Sequence, residues 1–290
     1  MLIRKRNIGV FHMSIAYYNG EFFGRDELRI PISDRAVFFG DAVYDMMIGD
    51  GGKIHQADEH IERLLFGASA IGIKHPYSAD SLYEKMVQVI KKSALPSYKI
   101  YISISRDAAI RDHSYLSSRG ANLLIIAEEY SLCREIENLS LISCEDKRYR
   151  FCNIKTANLL PAVLASTEAE KVGCGEAVFI RDGIVTECSH SNISILLCDT
   201  LYTHPLSDVI LPGITRRHLL LAARHLGLKC KEVPFGIGEL FRADEVIITS
   251  TTKLLRRAAH LDGAVVGGRN FALLEALHRF LLDEYDEKIP

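Results

Sequence analysis

The sequence predicts an α/β protein of two domains with mixed sheets, and three observations support this prediction. Short β-type runs alternate with amphipathic helical segments through the first half of the 290 residues. Residues 128–138, EEYSLCREIEN, are polar and lack periodicity, which is typical of a linker. The second half begins with a strand and a helix and continues into a strand-rich stretch. We therefore expect a smaller N-terminal domain over 1–130, a linker over 131–138 and a larger C-terminal domain over 139–290.

The first domain is predicted to contain two hairpins, two helices and two longer strands. Asn19-Gly20 favours a two-residue hairpin turn, and the glycine-rich residues 49–52 favour a second turn. Apolar residues at helical spacing predict helices over 58–72, with Asp58 as the cap, and over 79–92. The predicted strands are Ile15–Tyr18, Glu21–Phe23, Ala42–Ile48, Lys53–His55, Ile100–Ser105 and Asn122–Ala127.

The second domain is predicted to contain a larger set of strands and three helices. Gly227 is placed to end the middle helix, because glycine readily adopts the left-handed conformation that follows a helix. The predicted helices cover 158–172, 215–226 and 270–284. The predicted strands lie at 139–144, at several places within Ala177–His204, and at Glu245–Thr249.

Composition excludes several functional classes. The formal net charge of −2 gives no electrostatic reason to expect nucleic acid or an anionic membrane as a partner. The seven cysteines are odd in number and contain no Cys-x-x-Cys pair, which argues against a disulfide framework or a zinc site and for reduced thiols in a cytosol. The N-terminus lacks the apolar stretch of a signal peptide, and no run approaches the ~20 apolar residues of a membrane helix. We expect a cytoplasmic protein without a metal.

Lys155 is the first candidate for chemistry. It lies in NIKTAN (153–158), just before a predicted helix and among apolar residues. An amine shielded from water gives up its proton more readily and can then attack an aldehyde. Taken alone, the same pattern also fits a lysine whose stem is covered and whose head is in solvent.

An acid and two anion-binding segments accompany this lysine. Glu187, in a strand-dense region, could keep a pyridine nitrogen protonated if it were buried. Gly213-Ile214-Thr215 stands where a loop enters a helix, a place where backbone N–H groups bind anions. Ser250-Thr251-Thr252 follows a predicted strand, and Arg63 could supply a countercharge. Each also fits a structural role: an exposed strand residue, a helix cap, a turn or a solvated helix face.

Taken together, six segments in order resemble the motifs of the class IV aminotransferases. They are DRAVFFGD at 34–41, HIERL at 60–64, IKTANLL at 154–160, VTE at 185–187, GITR at 213–216 and TSTT at 249–252. The family includes D-amino-acid aminotransferase, branched-chain aminotransferase and aminodeoxychorismate lyase. The resemblance runs from about residue 17 to the C-terminus.

The resemblance implies a pyridoxal 5'-phosphate enzyme with the cofactor between two α/β domains. Lys155 would hold the cofactor as a Schiff base and move the reacting proton, and Glu187 would bind the ring nitrogen. His190 and Arg148 would lie near the cofactor. The residues implied for the phosphate are Arg63, Ile214, Thr215, Ser250 and Thr251. The family also implies a homodimer in which loops of the partner close the site.

The substrate side resembles D-amino-acid aminotransferase most closely. The segment SRDAAIRDH at 105–113 resembles the loop with which that enzyme binds the substrate α-carboxylate. The implied carboxylate ligands are Arg111, His113 and Tyr44, because an arginine fork matches a carboxylate and the other two add donors. The resemblance implies ping-pong transamination between a D-amino acid and a 2-oxo acid.

Two departures keep alternatives open. Asp45 stands where the D-specific members tend to have glutamate, and His190 stands where a small hydroxyl residue is expected. Within the family, the alternatives are an aminodeoxychorismate lyase that releases pyruvate, a branched-chain L-amino-acid aminotransferase and an (R)-amine aminotransferase. Outside catalysis, the alternative is a homologue that only binds the cofactor or a protein partner.

Overall fold

The computed structural model describes residues 14–118 and 120–288, and the chain divides into two compact units. The first unit contains the chain up to Phe38 together with Tyr44–Ser131. The second contains Phe39–Val43 and the chain from Leu132 onward. The predicted domains also include residues 1–13, 119, 289 and 290, which lie outside the described residues.

The first part of the chain forms a sheet with two long helices. Its elements are β1 (Ile15–Tyr18), β2 (Glu21–Gly24), α1 (Arg35–Phe39), β3 (Ala42–Asp50), β4 (Lys53–Ile54), α2 (Ala57–Ala70), α3 (Ala79–Ser93), β5 (Ser97–Arg106) and β6 (Ala121–Glu129). Over the described residues, the strand order is β2-β1-β6-β5-β3-β4. Helices α2 and α3 pack against each other, α3 also packs against β1 and β6, and α2 packs against β5.

The core of this unit follows from the alternation along β5 and β6. Successive side chains of a strand point to opposite faces, so every second residue faces the same side. The antiparallel register pairs Ile100 with Ala127, Ile102 with Ile125 and Ile104 with Leu123, and none of the six is exposed. Each large aliphatic side chain buried in this way stabilises the fold by about 1.5–3 kcal/mol.

Helix α2 begins earlier than predicted. Its cap is Gln56, which has a left-handed backbone conformation, and Asp58 lies inside the first turn. The prediction that Asp58 caps the helix is therefore wrong. The Asp58 carboxylate in the first turn still interacts favourably with the positive end of the helix dipole.

The second part of the chain forms a larger mixed sheet. Its elements are β7 (Asn138–Glu145), α4 (Leu160–Lys171), β8 (Glu176–Arg181), β9 (Ile184–Cys188), β10 (Asn192–Leu197), β11 (Thr200–Thr203), α5 (Ile214–His225), β12 (Lys229–Glu232), α6 (Ile237–Arg242), β13 (Glu245–Ser250), β14 (Leu254–Leu261), β15 (Ala264–Val265) and α7 (Phe271–Tyr285). The described strands run in the order β12-β11-β10-β13-β14-β7-β8-β9, with β15 beside β14. The pairs β11–β12, β14–β7 and β7–β8 are parallel.

The two faces of this sheet have different roles. Ile193 and Ile195 of β10 and Val246 and Ile248 of β13 belong to one buried apolar cluster. The alternate residues of the same strands, among them Thr249, face the other side. Helix α5 packs against β12, β13 and α7. This arrangement brings polar residues of β10 and β13 to the side of the sheet opposite the apolar cluster.

Several short elements were not predicted from the sequence. Helix α6 has six residues and β15 has two, which is too short for a clear hydrophobic period. Strand β14 contains Arg256 and Arg257 in its middle, so its composition obscures the strand. Among the helices of residues 14–118 and 120–288, none combines the length and the apolar character needed to cross a membrane.

Candidate active site

Lys155 lies in the connection between β7 and α4, and its backbone neighbours are fixed. Thr156 pairs with Val43 in an isolated antiparallel bridge, and its N–H donates to the carbonyl of Ile154 at 2.8 Å. The Tyr149 hydroxyl lies 3.0 Å from the Thr156 hydroxyl. Lys155 itself is half-buried. The start of β3, which belongs to the second unit, thus fixes the main chain next to Lys155.

The Glu187 carboxylate is buried at the end of β9. One oxygen pairs with the guanidinium of Arg148, and the other accepts from the Asn192 amide at 2.9 Å and the Leu211 N–H at 3.0 Å. Burial raises the pKa of Glu187 to about 7, against the opposing effects of Arg148, the Leu211 N–H and the Lys155 ammonium. Lys155 and Glu187 therefore interact electrostatically within the second unit.

Arg148 is held on several sides at once. Its Nε and Nη2 each lie 2.9 Å from an oxygen of Asp146, and Nη2 also donates to the Thr186 hydroxyl and the Val209 carbonyl. Burial would raise the pKa of Asp146, but its hydrogen bonds to Arg148 and the charge beside it lower the pKa overall. Asp146 thus fixes the Arg148 guanidinium, which in turn pairs with Glu187.

The first turn of α5 lies close to Glu187 through a contact with Asn192. Gly213 precedes the helix without a side-chain cap, and Ile214 and Thr215 are buried in its first turn. The first-turn N–H groups of a helix have no acceptor within the helix. A Cβ on Gly213 would lie 1.8 Å from Oδ1 of Asn192, so only glycine allows this approach. Asn192 therefore joins the helix start to Glu187.

The end of β13 lies beside the same asparagine. Thr249 pairs across the sheet with Asn192, so the two side chains share one face. Within the described residues, the Thr249 hydroxyl oxygen is buried and has no hydrogen-bond partner. Ser250 ends the strand, Thr251 begins the following turn, and both are half-buried. A buried donor of this kind costs free energy unless something accepts its hydrogen bond.

His190 pairs with a buried carboxylate. Its Nδ1 lies 3.0 Å from Oε1 of Glu176, and Ser191 donates its hydroxyl to the same oxygen at 2.7 Å. The Glu176 side chain is buried, whereas the His190 side chain is 56% exposed. The histidine is thus oriented by Glu176 and Ser191 and keeps most of its ring in solvent.

In the first unit, Arg63 belongs to a buried charged cluster. Its Nε and Nη2 donate to the two oxygens of Asp45 at 2.9 and 2.8 Å, and Nδ1 of His60 lies 2.7 Å from the same carboxylate. Burial opposes ionisation, but Arg63 and His60 hold the pKa of Asp45 well below its usual range. Tyr44, on the opposite face of β3, stacks on Tyr101 at 5.4 Å.

The predicted carboxylate ligands Arg111 and His113 lie on the connection between β5 and β6. Both are exposed, and the Arg111 guanidinium lies 5.9 Å from the ring centre of Phe38. The two residues belong to the first unit, as do Tyr44 and Arg63.

Comparison with known proteins identifies the family. The family model for amino-transferase class IV matches residues 42–261. The chain is 34% identical over 256 residues to a D-alanine aminotransferase of Bacillus licheniformis, covering 86% of this chain and 89% of that protein. It is 32% identical over 272 residues to a D-alanine aminotransferase of Listeria monocytogenes, covering 92% and 94%. This chain belongs to the class IV aminotransferase family.

Solved structures agree on the fold of this class IV aminotransferase. A branched-chain aminotransferase from Thermoproteus uzoniensis, solved with norvaline, matches with a TM-score of 0.85 at 23% identity, covering 95% of this chain and 97% of that one. The predicted family, fold class and enzyme class are confirmed.

The predicted site residues of the second unit converge in the class IV fold. Glu187 contacts Arg148 directly, and Asn192 links Glu187 to the start of α5. Ser250 and Thr251 follow Thr249, the cross-strand partner of Asn192. The roles implied for these residues and for Arg63, Tyr44, Arg111 and His113 remain predictions.

Sequence reasoning missed three residues of this arrangement. Thr249 begins the TSTT motif, Asn192 lies two residues after His190, and Asp146 lies two residues before Arg148, but no role was predicted for these three. Each acts through a contact that joins distant parts of the chain, as when Asn192 meets Gly213. Such contacts leave no periodic or spacing pattern in a single sequence.

Proposed function

We propose that this class IV aminotransferase transfers the amino group of a D-amino acid to a 2-oxo acid with pyridoxal phosphate. The observation that carries the chemistry is the buried Glu187, fixed by Arg148, Asn192 and Leu211 and interacting with the charge of Lys155. The substrate class rests on relatives named D-alanine aminotransferase and on the loop that carries Arg111 and His113.

The residues of the second unit fit the cofactor. The first turn of α5 offers N–H donors to a phosphate, and the Thr249 hydroxyl lacks a partner among the described residues. Ile214, Thr215, Ser250 and Thr251 would hold the phosphate. Lys155 would hold the aldehyde carbon as a Schiff base. The sequence resemblance adds Arg63 as countercharge and His190 as a further polar neighbour.

Bound pyridoxal phosphate supplies an aldehyde and a ring that withdraws electrons from the substrate α-carbon. Lys155, once freed by the substrate amine, would take the proton from the substrate α-carbon as general base and return it as general acid. Glu187 would accept a hydrogen bond from the protonated ring nitrogen. Arg148 would not contact this nitrogen; its guanidinium favours the ionised form of Glu187 and so opposes the effect of burial.

We propose that Arg111, His113 and Tyr44 bind the α-carboxylate, since a planar guanidinium matches a carboxylate bidentately and a ring N–H and a phenol add single donors. Fixing the carboxylate selects which face of the α-carbon meets the base, and this selection decides between D- and L-substrates.

We further propose that the protein is cytoplasmic. All seven cysteines lie within the described residues and none is in a disulfide, which agrees with a reducing compartment.

We also propose that the protein is a homodimer. Helix α4 exposes an apolar stripe formed by Leu160, Val163 and Leu164, at 68%, 54% and 58% exposure. Monomeric proteins rarely leave such contiguous stripes open to water, and a second copy of this chain would cover it.

Turnover with D-alanine tests the proposal. The cofactor-loaded protein, given D-alanine and 2-oxoglutarate, should form pyruvate continuously, measured by coupling to lactate dehydrogenase. Lys155→Ala should reduce this rate by at least about a thousandfold, because it removes the base and the covalent anchor. Lys171→Ala is the matched control, since Lys171 is an exposed residue of α4 paired with Glu168.

Three results would overturn the proposal. Continuous pyruvate formation from aminodeoxychorismate without a 2-oxo acid, and none from D-alanine, would identify a lyase. Turnover of L-leucine but not D-alanine would identify a branched-chain enzyme. Unchanged turnover in Lys155→Ala would remove the lysine from the reaction.

A further inference from the structure

The loop that leaves β5 at residue 107 and leads toward β6 carries the proposed carboxylate ligands Arg111 and His113. Residues 110–117 are all exposed. An exposed loop of this length has many conformations in solution, and ordering it when substrate binds would cost affinity. Efficient carboxylate binding therefore requires something in the protein to fix the loop beforehand.

The base of the loop is fixed by Asp34. One oxygen of its buried carboxylate accepts from the hydroxyl of Ser105 and the amide of Asn122, both at 2.8 Å. The other oxygen accepts from the Ala36 N–H at 2.8 Å. Because Ser105 is near the end of β5 and Asn122 near the start of β6, Asp34 ties together the two strands from which the loop emerges.

The outer part of the loop is fixed by the next residue, Arg35. Its side chain is 4% exposed, although it reaches an exposed loop. Its Nη1 donates to the carbonyl of Asp112 at 2.5 Å and lies 3.5 Å from that of Ser114, and its Nη2 donates to the carbonyl of His113 at 3.3 Å. One rigid guanidinium thus spans the main chain of three consecutive residues.

These contacts fix the main chain of the loop and do not involve the side chains of Arg111 and His113. Arg35 binds main-chain carbonyls, so the side chains of Arg111 and His113 are left to other partners. Further along, the Arg106 guanidinium stacks on the ring of Tyr115 at 3.9 Å and donates to the carbonyl of Gly72. The Arg35 contacts include the main chain of His113 itself.

We propose that Arg35 is a positioning residue for substrate binding, which fixes the main chain at 112–114 so that Arg111 and His113 present one preformed site to the substrate carboxylate. This inference rests on the proposed function, because it assigns a purpose to the loop only if the loop binds that carboxylate. It adds to the proposed ligands a residue that does not touch substrate.

Two variants of Arg35 and one control test the inference. Arg35→Gln removes the charge and the fork. Arg35→Lys keeps the charge but cannot span three carbonyls, which guards against a folding failure of the first variant. The control is Arg29→Gln, because Arg29 also donates to main-chain carbonyls, those of Asp26 and Leu28, but not to the loop.

Two measurements on the cofactor-loaded enzyme read the loop directly. Arg35→Gln should raise the KM for D-alanine about tenfold and leave kcat within about twofold, as expected when a preformed binding site must be ordered by substrate. Chymotryptic cleavage after Tyr115 or Leu116, followed by mass spectrometry, should accelerate about tenfold, because cleavage follows the population of the open loop. Arg35→Lys should fall between, and Arg29→Gln should match the wild type.

A double-mutant comparison separates positioning from general stability. In an Arg111→Met background, Arg35→Gln should no longer raise the KM, because its effect passes through the loop ligands. Unchanged cleavage in both Arg35 variants, or faster cleavage with an unchanged KM, would overturn the inference. Failure of the proposed function is distinguishable, because the wild type would then show no D-alanine turnover at all.

Discussion

At the scale of single residues, Glu187 is a carboxylate whose charge depends on its neighbours. Burial raises its pKa from the ordinary 4.5 to about 7, and Arg148 is the strongest opposing influence. A raised pKa in the folded chain means that this group favours folding most below its ordinary pKa, and the contribution is lost as pH rises through about 7. The apoprotein therefore holds Glu187 near the point of half-ionisation at neutral pH.

This balance gives a pH dependence to cofactor binding. A protonated ring nitrogen needs the ionised carboxylate, so the affinity of the apoprotein for pyridoxal phosphate should rise by up to about tenfold per pH unit below the pKa of Glu187. The measurement is a spectroscopic titration at several pH values. In Glu187→Gln, the increase in cofactor affinity that comes from ionisation of Glu187 should be absent.

The matched control for that titration is Glu245→Gln. Glu245 is also a buried carboxylate paired with an arginine, since Arg257 donates to it at 3.0 Å. Cofactor affinity in Glu245→Gln should increase with pH as it does in the wild type. An identical pH profile in Glu187→Gln would show that Glu187 does not face the ring nitrogen.

At the scale of elements, the start of α5 depends on one close approach. The Asn192 amide donates to Glu187 and to the Leu211 carbonyl, and its oxygen occupies the space where a Cβ of residue 213 would be. The motif at 213–216 indicated a helix start from the sequence, and helix α5 does begin at Ile214. The need for glycine could not be predicted, because it comes from a strand about twenty residues away.

Gly213→Ala should therefore weaken both the fold and the site. The added methyl group must displace Asn192 from Glu187, and overpacking of this kind costs about 1–3 kcal/mol. We expect a lower melting temperature of the apoprotein and weaker cofactor binding. Gly238→Ala is the control, because no atom of the described residues, apart from its chain neighbours and its own helix backbone, lies within 4 Å of the added Cβ, and alanine favours a helix. Equal behaviour of the two variants would contradict this account of the helix start.

At the scale of the whole molecule, the sequence predicted the long elements and the family but not the contacts that complete the site. Strand β1 and the first hairpin follow from alternation and from Asn19-Gly20, which are local properties of the chain. The assignment of Phe39–Val43 to the second unit follows from long-range pairing, as between Val43 and Thr156, and no local pattern encodes it. The same holds for Asn192, whose importance appears only when strand, loop and helix meet.

The proposed homodimer belongs to this scale. Leu164→Glu should convert the protein from about twice the chain mass of 32.5 kDa to a monomer, because a charge in the apolar stripe of α4 cannot be buried against a second copy. Light scattering after gel filtration measures the mass. Val265→Glu is the control, since Val265 is 70% exposed on the short strand β15. A wild-type monomer, or a dimer in Leu164→Glu, would contradict this interface.

The central claim is transamination of a D-amino acid, and a half-reaction tests it most directly. The cofactor-loaded protein is mixed separately with D-alanine, L-leucine and L-glutamate, without any 2-oxo acid, and its visible absorbance is followed. We expect D-alanine alone to abolish the absorbance, with one equivalent of pyruvate formed per site. Loss of absorbance with an L-amino acid but not with D-alanine, or an absorbance that none of the three changes, would contradict the claim.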